Sequence, residues 1–305
     1  MWPPRALCPG GRARRPLLVP PLGLGGAGLG GGYGPVGLQQ GIDTVRAALD
    51  AGLRVIDTSP LYGDSEYKIG LAVRPSERDG LVLSTKVGTH PQLRGYTAEL
   101  ARRSLEQSLR LLRTDRVEVC LIHDPDGAGF EVALGPGGAL EWLLQAKERG
   151  LVAAVGLGVR EHALHQRLIA TGCADVVLTY RDYTLAERSA ALGVLLPAQR
   201  AGVGVMLGSP LAAGLLAGPE PEALARAGRW SGPAAYLARA QRAWVWAREH
   251  GLDLTRLALQ FALGHPAVCA VLVGASSPAE VAADVAALAD PLPGSVWAEL
   301  EGALA

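Results

Sequence analysis

From about residue 22 onward, short apolar and β-branched runs alternate with longer stretches that carry apolar residues at helical spacing. The short runs are Leu22–Gly26, Val55–Asp57, Leu81–Lys86, Val117–His123, Ala153–Gly158, Val176–Tyr180, Gly204–Gly208 and Val271–Val273, and they predict eight strands. Between them, Ile42–Ala51, Thr97–Leu112, Leu140–Arg149, Ser189–Arg200 and Pro278–Leu288 predict amphipathic helices, with Gly52, Gly150 and Gly202 as C-terminal punctuation. Such alternation builds parallel βα units. No composition break marks a second domain, so the expected fold is α/β, a single-domain (β/α)8 TIM barrel over residues 17–305, rather than an open doubly wound sheet. Residues 1–16 are broken by Pro and Gly and predict a flexible tail without the apolar core of a signal peptide. Two Gly- and Pro-rich connections, 124–138 and 209–232, exceed ordinary loop length and follow predicted strands four and seven, where long loops are often functional.

Composition narrows the class. With 49% hydrophobic residues in 305, the chain can bury the core of one large domain. Its 29 basic residues balance 29 acidic ones, which disfavours nucleic-acid and anionic-membrane partners. No apolar run approaches the ~18 residues of a membrane span. Cys8, Cys120, Cys173 and Cys269 form no CxxC pair, which suits a reducing cytoplasm. Only Lys68, Lys86 and Lys147 are lysine; every other basic position is arginine. A lysine retained in such a chain needs its own reason.

The active site of a (β/α)8 barrel lies at the C-terminal ends of its strands. Three consecutive predicted strands end in titratable groups: Asp57, Lys86 and His123. The Pro- and Gly-bounded turn after Asp57 adds Tyr62 above the same rim. An ammonium beside a phenol lowers its pKa, Asp57 would hold Lys86 charged, and a neutral His123 would orient a substrate oxygen. The set suits moving a proton on or off a carbonyl or alcohol oxygen. An Asp–Lys pair, a strand-end His or a loop Tyr is each common as a purely structural feature; their convergence on one rim is what points to catalysis.

Asp-Thr-Ser-Pro-Leu-Tyr-Gly at 57–63, Leu-Ser-Thr-Lys at 83–86 and Leu-Ile-His at 121–123 resemble the aldo-keto reductase superfamily, whose Asp, Tyr, Lys and His tetrad falls on Asp57, Tyr62, Lys86 and His123. Leu-Ile-His-Asp-Pro-Asp at 121–126, Tyr-Thr-Leu at 183–185 and Val-Gly-Ala-Ser-Ser-Pro at 273–278 look most like the D-threo-aldose 1-dehydrogenase and L-fucose dehydrogenase branch, with pyridoxal 4-dehydrogenase a close relative. The resemblance implies a nicotinamide cofactor lying across the barrel mouth. It further implies oxidation of an aldose at C1 to the lactone, with Tyr62 taking the proton.

Carried over residue by residue, the cofactor would meet Gly25, Gly26, Ala27, Asp57, Gly158, Gly208, Ser209, Leu211, Gly274, Ser276, Glu280 and Asp284, and the substrate Tyr62 and His123; Trp230, an aromatic in the second long connection, is a further substrate candidate because flat rings suit a sugar or pyridoxal. The chain departs from the family pattern at Gly158-Val159, Leu178 and Gly208, where Ser-Asn, Gln and a stacking Tyr are common. Glu280 stands where NADP-dependent relatives often place Arg, and its charge would repel a 2′-phosphate, so NAD is preferred with NADP still possible.

Other readings compete. Gly23–Gly28 matches GxGxxG, but the chain after it stays Gly-rich where a helix should begin, so it reads as a loop that allows close approach. A metal-dependent hydrolase would need paired strand-end ligands, and no metal is expected; His162 and His165 read as solvated. A catalytically silent cofactor-binding regulator and a general aldehyde or ketone reductase stay open. The expected partners are a small sugar or aldehyde, with the chain a monomer or small homo-oligomer.

Overall fold

The computed structural model describes residues 2–304. Ten strands are assigned among them: β1 (Arg5–Ala6), β2 (Leu18–Val19), β3 (Leu22–Gly25), β4 (Val55–Asp57), β5 (Val82–Val87), β6 (Val117–His123), β7 (Val152–Gly158), β8 (Val176–Tyr180), β9 (Gly204–Gly208) and β10 (Val268–Val273). All pairings from β3 through β10 are parallel, and β10 closes on β3, giving an eight-stranded barrel with helices outside. The single-domain barrel expected from the hydrophobic pattern is therefore observed, and each predicted strand overlaps one of these eight.

Alternation along each strand decides what faces the axis. Val55, Val82, Val119, Leu121, Val176, Leu178, Met206 and Leu272 form the cluster inside the barrel. The intervening Ile56, Leu83, Cys120, Ile122, Val177 and Val271 pack outward against the helices. Asp57, Lys86 and His123 continue the inward files of β4, β5 and β6, which is why a file that begins apolar ends in a titratable group at the rim.

Glycine occupies several other inward positions. A Cβ on Gly156 would lie 1.6 Å from the Val176 carbonyl oxygen, and one on Gly23 would lie 2.9 Å from Val55 and Leu272. No rotamer change relieves a clash with backbone, so β3 and β7 approach their neighbours only because the side chain is missing.

The predicted helices are present with shifted ends. Leu38–Asp50, Ala98–Leu112, Ala139–Glu148 and Pro278–Ala286 are α-helical, and 191–201 starts as a π-turn before continuing as α-helix. Gly52, Gly150 and Gly202 have φ of 90°, 79° and 65°, the left-handed conformation that their helix-ending role requires. The two long connections are partly ordered, with helices at Gly127–Leu134 and Pro221–Arg226.

The expected free tail over 1–16 is the clear correction. β1 pairs antiparallel with β2, and Leu7 and Cys8, with Leu17 and Val19, are buried against Val55, Val82 and Cys269 at the bottom of the barrel. The arginines have structural work there. Arg5 donates to the Leu263 carbonyl at 2.8 Å, Arg12 to Ala201 at 2.8 Å, and Arg14 to Lys147 at 3.2 Å, so each guanidinium meets carbonyls at the C-terminal end of an outer helix. Those are the carbonyls that an α-helix leaves unpaired and negative. Arg15 pairs with buried Glu118 at 2.7 Å.

If this segment is a plug, Leu7→Ala removes a fully buried side chain and lowers stability by about 2–4 kcal/mol in urea unfolding. A free tail would leave the midpoint unchanged.

Candidate active site

The chemistry is built on one buried ammonium. Lys86 Nζ donates to Asp57 Oδ2 at 2.6 Å and to the Thr58 carbonyl at 2.7 Å, while Ser84 Oγ donates to Asp57 Oδ1 at 2.7 Å. Lys86 is fully buried, and Gly158 on β7 leaves room for its stem, with the position of a Cβ 3.7 Å from Lys86 Cε. Burial alone would discharge Lys86, but Asp57 and the Tyr62 oxygen outweigh it and hold its pKa above the ordinary value. The ammonium lies 4.8 Å from the Tyr62 ring centroid.

For Tyr62 the balance falls the other way. Burial raises its pKa more than Lys86 lowers it. The expected drop toward neutrality is thus not present in the free protein, where Tyr62 is a protonated phenol.

His123 stands edge-on to Tyr62, with ring centroids 5.9 Å apart. Its Nδ1 meets the Thr89 hydroxyl and, at 3.2 Å, the Ser59 hydroxyl; its Nε2 lies 3.4 Å from Asp124 Oδ2. Burial, helped by the charge on Lys86, drives the His123 pKa well below its usual value. A neutral ring that accepts at Nδ1 carries its proton on Nε2, the atom directed at Asp124.

These groups open onto a cavity of about 430 Å³. Of the residues expected at the cofactor and substrate, Gly25, Gly26, Ala27, Asp57, Tyr62, His123, Gly208, Ser209 and Gly274 line it. Gly158 and Lys86 lie behind the wall. Leu211, Ser276, Glu280 and Asp284 do not line it, and Trp230 lines a neighbouring cavity instead.

Packing keeps this wall small. A Cβ on Gly26 would lie 2.5 Å from Ser65 Oγ, and one on Gly274 2.6 Å from the Tyr33 ring, so neither position has room for a side chain. Beyond the cavity, Glu280 Oε2 accepts from the Ser276 amide at 2.6 Å and the Ser276 hydroxyl at 3.0 Å, at the N-terminus of helix Pro278–Ala286. Asp284 is buried beside it, and burial together with the Glu280 charge raises its pKa to about 7.

The structure adds residues that the sequence reading left out. Asp124, with φ of 38°, and Arg181, with φ of 62°, line the cavity, and Tyr180 donates to Asp124 Oδ1 at 3.2 Å. Tyr180 was within reach, because it is two places after the inward Leu178 on the same strand. Asp124 follows His123 directly, but nothing in the pattern signals its left-handed backbone. His162 and His165 are not solvated: His165 is fully buried and bonds the Val159 carbonyl, and His162 pairs with buried Asp182 at 2.9 Å.

Lys68 explains the Gly-rich loop after β3. Buried at 1% exposure, its ammonium donates to the carbonyls of Leu29 at 2.7 Å and Val36 at 2.8 Å and pairs with Asp64 at 2.7 Å. It ties both ends of the segment that supplies Gly30, Gly31, Gly32 and Tyr33 to the cavity. Gly30 and Tyr62 are so close that a Cβ on Gly30 would lie 1.8 Å from the Tyr62 carbonyl oxygen.

Comparison with known proteins agrees with this architecture. Residues 21–305 match the Aldo/keto reductase family model. The chain belongs to the aldo/keto reductase family. It is 29% identical to a D-threo-aldose 1-dehydrogenase from Pseudomonas sp over 93% of this chain and 94% of the relative. It is 31% identical to an L-galactose dehydrogenase from Arabidopsis thaliana over 90% and 86%. Among solved structures, a putative aldo-keto reductase from Pseudomonas aeruginosa superposes with a TM-score of 0.69 at 27% identity, covering 93% and 94% of the two chains. An aldo-keto reductase from Bacillus halodurans shares the fold with a TM-score of 0.80 at 23% identity, covering 99% and 96%. Aldo-keto reductases are oxidoreductases that use nicotinamide cofactors. Among the described residues no helix is long and apolar enough to cross a membrane, and no cluster of His, Cys, Asp and Glu is suited to hold a metal ion.

Lys68→Met strips the donor from two buried carbonyls, so stability should fall by roughly 2–4 kcal/mol and KM should rise more than kcat falls. Urea unfolding and steady-state kinetics measure both. An unchanged KM would separate the loop from the site.

Proposed function

We propose that this aldo-keto reductase is an NAD-linked aldose 1-dehydrogenase, oxidising the anomeric hydroxyl of a sugar to the lactone. The observation that carries the reading is the buried Asp57–Lys86 pair set against the Tyr62 ring, meeting a neutral His123 at one cavity. The Nε2 proton of His123 orients the reacting oxygen. Tyr62 exchanges the hydroxyl proton with that oxygen, and Lys86, held charged by Asp57, stabilises the phenolate that oxidation requires. Asp124 and Tyr180 offer an acceptor and a donor to further sugar hydroxyls. A bound oxidised nicotinamide supplies the acceptor for the hydride. Similarity to aldose and pyridoxal dehydrogenases supports the substrate class.

One observation favours the reverse direction as a second reading. A phenol whose pKa is raised by burial is a ready acid, which suits reduction of an aldehyde or ketone.

The NAD preference rests on Glu280. Its carboxylate takes the Ser276 amide and hydroxyl, donors that a 2′-phosphate would otherwise use, and it adds a negative charge at the same point. Glu280 also stabilises the start of its helix, since Ser277 caps that helix through the Glu280 amide.

NADH formation with a panel of aldoses and pyridoxal tests the reaction. Tyr62→Phe should keep cofactor affinity and lose turnover by about 10²–10⁴-fold; near-normal activity would remove Tyr62 from proton transfer. Because the Tyr62 pKa is raised, the phenolate fraction grows with pH, and oxidation by the wild type should climb from about pH 7 to 10 while reduction stays flatter. A flat oxidation profile would contradict the role.

For the cofactor, kcat/KM with NAD should exceed that with NADP, and Glu280→Ser should narrow the gap by about tenfold. A wild-type preference for NADP would overturn the assignment.

A further inference from the structure

Arg181 stands at the junction of two cavities. It lines the catalytic cavity and also a second one of about 370 Å³, whose wall includes Arg160, Arg229, Trp230, Tyr236 and Glu187. Three guanidinium groups thus face a space that holds one carboxylate. Glu187 is already engaged: it accepts from the Ser189 amide at 2.7 Å.

Some arginines of this surface are tied to carboxylates, as in Arg46–Glu77 at 2.6 Å, Arg167–Glu131 at 2.7 Å and Arg188–Glu301 at 2.7 Å. Arg160, Arg181 and Arg229 are in no such pair among the described residues. The Arg181 backbone is left-handed and its amide donates to the Gly208 carbonyl at 3.2 Å, a conformation that persists in a residue with a Cβ only where the surroundings impose it. An imposed backbone, unpaired cationic groups and an adjoining catalytic cavity describe a place for a negative charge.

We infer that the second cavity is an anion subsite for the far end of the substrate, taking a carboxylate or phosphoryl group from a ligand whose reacting end lies at Tyr62 and His123. This deepens the aldose reading and rests on it: the substrate class becomes an acidic sugar, a uronic acid or a sugar phosphate, with its anionic group remote from C1. The catalytic end suits hydroxyls, through Asp124 and Tyr180, and the Asp124 charge disfavours an anion there. Guanidinium forks match carboxylate and phosphoryl oxygens, and Trp230 offers a flat apolar face to the chain between the two ends. A cofactor pyrophosphate carries the same chemistry, and Ala212 and Ala213, left-handed residues of the segment after β9, lie on the same wall.

The test uses the full chain and two readouts. D-galacturonate and D-galactose are compared by calorimetric titration in saturating NADH and by steady-state oxidation, with wild type and Arg160→Ser/Arg229→Ser; NADH affinity is measured separately by fluorescence. In wild type, galacturonate should bind about tenfold tighter than galactose, as a charge-assisted contact implies, and the double variant should erase that ratio while leaving NADH affinity unchanged. Equal binding of the two sugars by wild type overturns the subsite. An NADH affinity that falls about tenfold in the variant, with the sugar ratio intact, assigns the arginines to the cofactor pyrophosphate and overturns the substrate assignment. Arginine-dependent galacturonate binding without turnover of either sugar sinks the aldose oxidation reading and leaves the subsite standing.

Discussion

The burial of one ammonium organises this protein. Lys86 sits inside the barrel, out of water, and a charge there is tolerated only with a carboxylate and further acceptors in contact. Asp57 on the neighbouring strand and the Thr58 carbonyl meet that demand, and Ser84 fixes the other oxygen of Asp57. The requirement fits the register of β4 against β5, where Asp57 pairs with Ser84, and Gly158 on β7 lies beside the lysine stem. The same charge depresses the basicity of His123 and works against the rise in the Tyr62 pKa. Strand register and the protonation of the neighbouring side chains therefore share one interaction, and a substitution at Asp57 strikes both.

The scarcity of lysine becomes intelligible in that light. Lys68 bonds two carbonyls and Asp64, Lys86 bonds Asp57, and Lys147 bonds both oxygens of the fully buried Asp175, at 2.8 and 2.7 Å. Each ammonium is compact enough to gather its acceptors around one point, where a guanidinium presents a planar fork. Arginine instead occupies the outer positions, where its fork spans helix carbonyls or surface carboxylates. Lysine stands where acceptors gather around one point, and the unusual composition was a pointer to all three positions, though it was used for Lys86 alone.

The barrel was legible because strand alternation and helix spacing are local properties, and the glycines that end helices require left-handed backbone whatever the fold. The rim groups followed, since the inward file of a barrel strand fixes which residue reaches the mouth. What stayed hidden depends on pairing across the chain. Arg5, Arg12 and Arg14 look like a solvated basic tail until helix C-termini more than a hundred residues away present their carbonyls. His162 reads as surface until Asp182 comes beside it. The balance between burial and charge at Tyr62 was misjudged for the same reason: adjacency of Lys86 was visible, and the depth of the pocket was not.

The cavity divides into two unlike halves, and the division explains the departures from the family pattern. β4, β5 and β6 present Asp57, Lys86 and His123, with Tyr62 above them. β3 and β9 present Gly25 and Gly208, and the chain leaves β10 through Gly274. At the glycine positions only backbone can meet a ligand, while Tyr33, Leu178, Tyr180 and Leu272 supply the side chains of the same wall. Backbone donors are fixed by the sheet and lose no rotamer entropy on binding, whereas side-chain ligands must be ordered first. The catalytic half needs groups whose protonation can change, and only side chains supply those. Glycine on one half of the rim thus leaves backbone close to the cavity, and polar side chains resume at the edge of the barrel, where Glu280 accepts from the Ser276 amide and hydroxyl.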